Sequence, residues 1–507
     1  MMNAECTQSL NKGKIKIFLI NNDFLYEIEN LVRLFLPYYK IDFWESDTDT
    51  VSLSDENYIY IKVDKTQALG LILIVRVYLN GIKKESKLAL HRDNTLDRDI
   101  ELEISGILFK ILSEITKVHP KWGIITGVRP VKLFRSVLKG HTVKYCTDYF
   151  KNKFLADPQK IELAAKVNSY EQKVIELSKK NSFSLYVSIP FCPSRCAYCS
   201  FVSQSVEKSI KLIPDYLNLL TKEIKYTAKI AEDLSLRLET IYIGGGTPTV
   251  LSCDDLRSLI NVIVENFDTS SCREFTVEAG RPDTLDKEKI DMLSSFENIR
   301  VSINPQTFND SVLQIIGRKH TANDTFRAVE LAKNAGISNI NMDLIAGLPG
   351  DSYRSFCDTI KKTIALNPSF VTIHTLAVKR ASNIVKNRTD IPQNSLFVEK
   401  MLEKAYSSLS SAGYHPYYLY RQSKMVDNME NTGWAKGNLN GLYNIYIMDE
   451  THTILACGAG AVTKLKNPFN FQIKRIFNFK FAYEYISRFN EIIERKGQVT
   501  NFYEEFQ

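Results

Sequence analysis

The spacing of apolar positions changes once along the chain, near residue 180, and the change separates two kinds of structure. Before it, "KIKIFLI" and "LILIVRVYLNG" have strand-like patterning, and the second runs into Asn80-Gly81, a pair that favours the tight turn of a β-hairpin. A helical pattern follows from about Asp99 to Val118, so residues 1–118 are expected to form an α+β domain. In "HPKWGIITGVRPVKLFRSVLKG" the residues Gly127, Arg129 and Pro130 break a strand. A helix is predicted from Val131 to the glycine stop at Gly140. Helices continue to about Lys180, which makes 119–180 a helical connector.

From Ser182 onward apolar runs of strand length recur with helical stretches between them: "FSLYVSIP", "LETIYIGGG", "EFTVEAG", "NIRVSINPQ", "ISNINMDLIAGLPG" and "PSFVTIHTLAV". Strands joined by helical crossovers pair in parallel. Six such units predict an α/β fold with an open, partial (β/α)6 barrel over 181–385. Residues 386–507 are expected to form a small α+β extension covering the substrate. Barrel chemistry sits at the carboxyl ends of the strands. The unusual residues fall there: cysteines after the first strand, "GGGTPT" ending the second, Glu278 ending the third, Gln306 ending the fourth and Asp343 on the fifth.

Composition narrows the setting. The chain has 507 residues and nine cysteines, an odd number with six of them isolated, as expected for reduced thiols in a cytoplasmic protein rather than a disulfide framework. Its opening lacks the compact apolar run of a secretory signal. The most apolar stretch, "ALGLILIVRVYL", contains Arg76 and is far shorter than the roughly 20 residues of a membrane span. A formal net charge of +7, with Lys and Arg interleaved among Asp and Glu, describes a solvated surface and demands neither nucleic acid nor a membrane partner. A monomer is expected.

The chemistry concentrates in "SIPFCPSRCAYCSF", where Cys192, Cys196 and Cys199 follow the pattern C-x3-C-x2-C. Structural zinc takes four ligands, usually from two C-x2-C pairs, and no second pair or histidine cluster lies nearby in the sequence. Buried, inert thiols are an alternative. Three thiolates on one loop at a barrel mouth suit three irons of a [4Fe–4S] cluster, leaving the fourth iron open to a small molecule.

With Tyr198 before its last cysteine, this loop resembles that of the radical S-adenosylmethionine (SAM) enzymes. The runs "LYVSIPFCPSRCAYCSF", "YIGGGTPTVL", "RVSINPQTFND", "IGRKHT" and "DLIAGLPGD" are similar, in order and spacing, to the oxygen-independent coproporphyrinogen III oxidase family. "WGIITGVRPVKL", "GLYNIYIMDE" and "ACGAGA" most resemble its HemZ-type coproporphyrinogen dehydrogenase branch. The resemblance implies that Cys192, Cys196 and Cys199 hold the cluster and that Tyr186, Tyr198, Gly245 and Glu278 contact the SAM on its open iron. It also implies that Gly246, Thr247, Gln306, Arg318, Asp343 and Ala377 line a second SAM or the substrate pocket. A glycine admits close backbone approach, and a carboxylate can pair with the SAM ammonium.

The implied activity is oxidative decarboxylation of coproporphyrinogen III propionates to vinyl groups, giving protoporphyrinogen IX in anaerobic heme biosynthesis. Flavodoxin or ferredoxin would serve as the reducing partner. Arg318, Lys379, Arg380 and Arg421 are candidate cations for a tetrapyrrole with four propionates. Two positions depart from the best-studied oxidases, with Ser188 in place of a histidine and Phe201 in place of a fourth cysteine. Three alternatives stay open: a heme chaperone of the same superfamily, a heme-opening methyltransferase and a tRNA-modifying enzyme. The chaperone's His-Asn and Tyr-Trp signature is not found around Asn431 to Trp434, and the tRNA enzyme would be expected to carry a basic face.

Overall fold

The structure is a computed structural model that describes residues 13–46, 56–65, 70–91, 96–199, 204–377, 395–422, 425–470 and 472–506. Two compact units divide the chain, Met1–Ala165 and Lys166–Gln507. Among the described residues no helix is long and apolar enough to cross a membrane.

The first unit holds five strands, β1 (Lys14–Ile20), β2 (Lys40–Ser46), β3 (Tyr58–Asp64), β4 (Gly70–Leu79) and β5 (Ile82–His91). Their order is β2-β1-β3-β4-β5. Strand β1 runs parallel to β2 and β3, whereas β4 is antiparallel to both of its neighbours. Leu71, Leu73, Val75, Val77 and Leu79 are buried on one face of β4, the period of two expected of a half-covered strand. The hairpin predicted at Asn80-Gly81 is present, with φ of 53° and 81° at the two residues, the left-handed values such a turn requires. Helices Leu25–Phe35 and Asp97–Thr116 pack together, the second also lying on β4.

The second unit is built on β6 (Ser182–Ile189), β9 (Arg237–Gly245), β10 (Glu274–Ala279), β11 (Ile299–Ile303), β12 (Asn339–Ala346) and β13 (Phe370–Thr375), the six predicted strands. They are mutually parallel, in the order β13-β12-β11-β10-β9-β6. A two-stranded ladder of β7 (Phe191–Cys192) and β8 (Gln204–Ser205) carries the first cysteine. The parallel set does not close. Beyond β13 the antiparallel strands β15 (Asn431–Lys436) and β14 (Tyr414–Tyr420) extend it, and beyond β6 come β16 (Thr453–Cys457), β17 (Val462–Lys466) and β18 (Ile473–Phe477). Strand β16 is a seventh parallel strand, in register from Thr453 opposite Phe183 to Cys457 opposite Val187.

Alternation sorts the side chains of these strands onto two faces. Phe183, Leu185, Val187, Ile241, Ile243, Phe275, Val277, Val301, Ile340 and Met342 join one large core with residues of the crossover helices. The other face is polar: Tyr186, Tyr242, Glu278, Ser302, Asp343 and His374 alternate with those core residues. Its far end is covered by helix Leu442–Asp449, whose first backbone N–H groups, at Leu442 and Tyr443, donate to the Glu274 carboxylate at 2.7 and 3.3 Å. A carboxylate at a helix N-terminus satisfies orphan donors and meets the positive end of the helix dipole.

The loop after β16, in "ACGAGA", is clasped from inside. Buried Glu223 accepts from Gly458 N and Tyr485 Oη at 2.7 Å each, and from Asn478 Nδ2 at 2.8 Å. Its charge is met by buried Lys496 at 3.1 Å. Removing one partner of a buried ion pair leaves the other uncompensated, so Lys496→Met is expected to destabilise the second unit by about 3–5 kcal/mol. Chemical unfolding should show this loss, with part of it recovered in the double variant Lys496→Met/Glu223→Gln.

Candidate functional site

The cysteine loop is fastened at two points and tightened by a bond of its own. Ala197 N donates to Ile316 O at 2.9 Å, Ser194 Oγ to Gly317 O at 3.0 Å and Cys199 N to Cys196 O at 3.2 Å. On its other side the glycine-rich turn after β9 presses against it: Gly246 N donates to Ile189 O at 2.7 Å and Thr247 N to Phe191 O at 2.8 Å. A Cβ on Gly246 would lie 2.5 Å from Phe191 O and 3.0 Å from Cys192 Sγ, so no other residue fits there. Gly245, with φ of 100°, supplies the left-handed turn that brings Gly246 in. Thr247 Oγ1 donates to Cys192 Sγ at 3.5 Å.

Among the described residues no three His, Cys, Asp or Glu side chains converge as they would around a single metal ion. The donor set, three cysteine thiols on one loop, suits the expected [4Fe–4S] group by its chemistry. The surroundings fit it too. Burial raises the Cys196 thiol, yet the charges of Arg318 and then Arg281 outweigh burial and hold it below its ordinary value. Cationic surroundings that favour thiolate are what an iron–sulfur ligand needs.

The wall continues from the cysteines to the carboxylates. A Cβ on Gly280 would meet Asn304 Nδ2 at 3.8 Å and both Glu278 Oε2 and Gly246 O at 3.9 Å, so these groups converge on one spot beside Cys192. Two acceptors at that spot suit the ammonium of an amino acid such as SAM. Glu278 Oε1 also accepts a hydrogen bond from the Tyr242 hydroxyl. Burial, then the nearby Asp343, push the Glu278 carboxyl up to about 7 against the pull of that bond. Asp343 is also pushed up by burial but is held below the usual carboxylate range by His374, at 3.6 Å, and by Asn341 Nδ2 at 2.8 Å. Tyr186, Tyr242 and Tyr443 stack alongside, with centroids 4.5 Å apart for the closest pair, Tyr242 and Tyr443.

The remaining expected site residues lie around this wall. Gln306 holds a left-handed φ of 68°, its amide N–H donating to Asp343 O at 2.9 Å, and its side-chain Oε1 is buried without a partner. Strain and an orphaned acceptor together mark a position shaped by something other than packing. Arg318 is no surface charge: it is 6% exposed and donates to Gly280 O at 2.7 Å. Tyr198 packs against the apolar cluster of Val312, Leu313, Ile316, Ile345, Leu348 and Leu376. Ala377 bridges to Met425. Arg421 is buried too, donating to Asn428 O at 3.0 Å, whereas Lys379, Arg380 and Phe201 lie outside the described residues. Ser188, one of the two departures from the best-studied oxidases, donates to Ala459 O at 2.8 Å and so belongs to the clasp on the "ACGAGA" loop.

Sequence reasoning missed Tyr242, His374 and Arg281. The signal for the first two was phase: each polar residue sits in an apolar strand at the spacing that places it on the second face. Tyr242→Phe removes the donor to a half-buried carboxylate, so it is expected to cost about 1 kcal/mol at pH 8. At pH 5 the Glu278 carboxyl is protonated in both proteins, because its midpoint near 7 lies above that pH, and the cost should shrink. Urea titrations at the two pH values read the difference.

Residues 186–363 match the radical SAM superfamily. The oxygen-independent coproporphyrinogen-III oxidase-like protein HemZ of Bacillus subtilis is 35% identical over 404 residues, 79% of this chain and 81% of that protein. The heme chaperone HemW of the same organism is 34% identical over 284 residues, 55% of this chain and 70% of its own. Among solved structures, the coproporphyrinogen III oxidase HemN from Escherichia coli aligns with a TM-score of 0.49 and 22% identity over 63% of this chain and 71% of that one. Members of the superfamily use a [4Fe–4S] cluster and SAM. By the extent of the HemZ match and the cysteine loop inside the matched region, the chain belongs to the radical SAM superfamily, in its oxygen-independent coproporphyrinogen-III oxidase-like family.

Proposed function

We propose that this protein decarboxylates two propionates of coproporphyrinogen III oxidatively, giving protoporphyrinogen IX, with a flavodoxin- or ferredoxin-like reductant supplying electrons. The observation that carries the reading is the continuous wall from Cys192 through Gly246 and Gly280 to Glu278, which suits a cluster and an amino-acid head group side by side. When bound, the cluster and SAM supply an electron and a 5′-deoxyadenosyl radical that abstracts hydrogen from the substrate.

The chain's own part is binding and positioning. Cys192, Cys196 and Cys199 hold the cluster, and Glu278 with Gly246 O takes the SAM ammonium. Tyr186 and Tyr198 bound the head-group site. Gln306, with its unpartnered Oε1 and its amide bonded to Asp343 O, offers an acceptor to a second SAM or to the substrate, a role shared in this reading with Asp343, Thr247, Arg318 and Ala377.

The 34% identity to a heme chaperone supports a second reading, in which the same fold holds heme. The two readings part on product. Reduced, oxygen-free protein given coproporphyrinogen III, SAM and an electron acceptor should yield protoporphyrinogen IX and 5′-deoxyadenosine in about a one-to-two ratio, because each vinyl group needs one hydrogen abstraction. Cys199→Ala should yield neither. Stoichiometric heme binding without decarboxylation would favour the chaperone.

Affinity for SAM tests the wall separately. Glu278→Gln should weaken SAM binding to the cluster-loaded protein by about 1.5–3 kcal/mol at pH 8. The wild-type carboxyl gains a proton as pH falls through about 7 and then pairs less well with an ammonium, so wild-type affinity should fall toward pH 6 while the variant's stays level. Equal affinities at pH 8 in an anaerobic titration would remove Glu278 from the head-group site.

A further inference from the structure

Two guanidinium groups are buried against the cysteine loop, and one of them has no part in the function proposed above. Arg281 follows β10 and is 2% exposed, among the largest fully buried side chains of the protein. Its Nη1 donates to Ser194 Oγ at 2.8 Å, between Cys192 and Cys196. Nε and Nη2 donate to the two oxygens of Asp283 at 3.3 and 3.4 Å. Arg318 approaches the loop on the side of Gly317, its guanidinium bonded to the carbonyl oxygens of Gly280 and Asn304. Among the described residues the carboxylate ion-paired with Arg281 is Asp283, and Arg318 has no ion-paired carboxylate.

The third basic group here adds no charge. His320 is 3% exposed, its Nδ1 lies 3.9 Å from Asp283 Oδ1, and burial followed by the charges of Arg318 and Arg281 pushes it down to about 3. Two fixed cations therefore face one carboxylate. The excess positive charge is a poor arrangement for a neutral loop and a good one for three thiolates carrying an iron–sulfur core, whose electron count it biases at short range in a water-poor setting.

We propose that Arg281 is a positioning residue for the cluster: it anchors the cysteine loop through Ser194, and its buried charge raises the cluster's reduction potential. The role requires only a reductant that adds one electron to the oxidised cluster, and it rests on the reading of Cys192, Cys196 and Cys199 as cluster ligands. Iron content tests that ligand reading, and the potential tests Arg281.

The experiment is an EPR-monitored redox titration, with dithionite as reductant, of anaerobically reconstituted full-length wild type, Arg281→Met, Arg281→Lys and Ser194→Ala, each with iron content determined. At full iron loading Arg281→Met should be harder to reduce by tenfold or more, about 59 mV for a one-electron couple. Arg281→Lys and Ser194→Ala, which keep the charge, should stay within about threefold of wild type, a third to a half of that shift. An unchanged midpoint in iron-loaded Arg281→Met overturns the proposal. If Arg281→Met loads no iron, Arg281→Lys and Arg281→Gln decide: iron retained with lysine and lost with glutamine supports a role for the charge, and equal loading in the two overturns it. Full iron content in Cys196→Ala would overturn the ligand reading and, with it, the role of Arg281.

Discussion

Everything at the site depends on how closely two backbones approach. The turn after β9 hydrogen-bonds to Ile189 O and Phe191 O, and only a residue without a side chain can do so at Gly246, where Phe191 O would stand 2.5 Å from a Cβ. This contact places the start of the cysteine loop beside the carboxyl end of β9 and puts Gly246 O next to Glu278 and Gly280. If the turn moved outward, the cysteines and the carboxylate would no longer share a wall. The glycine run is thus a spacing device, and Gly245 pays its conformational cost in the left-handed region.

The second dependence is on the polar face of the sheet. A parallel sheet is ordinarily covered on both faces by apolar layers. Here one face departs from that rule, and its polar groups answer one another: Tyr242 with Glu278, Asn341 with Ser302 and Asp343, Asp343 with His374. Packing two carboxylates into this face leaves them with different tendencies to ionise, Glu278 pushed up and Asp343 held down, and the difference follows from their partners. Helix Leu442–Asp449 closes the face from the far end, joined to it through Glu274 and Tyr443.

Much of this was legible before the structure. The six parallel strands follow from strand-length apolar runs separated by helical ones, the hairpin from Asn80-Gly81, and the cluster loop from a spacing that few other chemistries need. Glu278 and Asp343 could be placed because strand phase is readable over short distances. Strand β16 was not legible: "TILAC" is short, and its partner β6 lies about 270 positions earlier, a pairing that no local pattern records. Arg318 and Arg421 could be read equally as pocket cations or as surface charges, because their partners are backbone carbonyls. Tyr242, His374 and Arg281 escaped notice for a similar reason, since their roles come from neighbours on other strands or loops.

The central claim is that three cysteines hold a cluster whose open iron faces the Glu278 wall. It is tested most directly by EPR spectra of the dithionite-reduced, iron-loaded protein recorded before and after SAM is added. The account predicts a reduced [4Fe–4S] signal that changes shape on addition of SAM, because the ligand enters the coordination sphere of an iron that no cysteine occupies. Spectra that are superimposable with and without saturating SAM would contradict it.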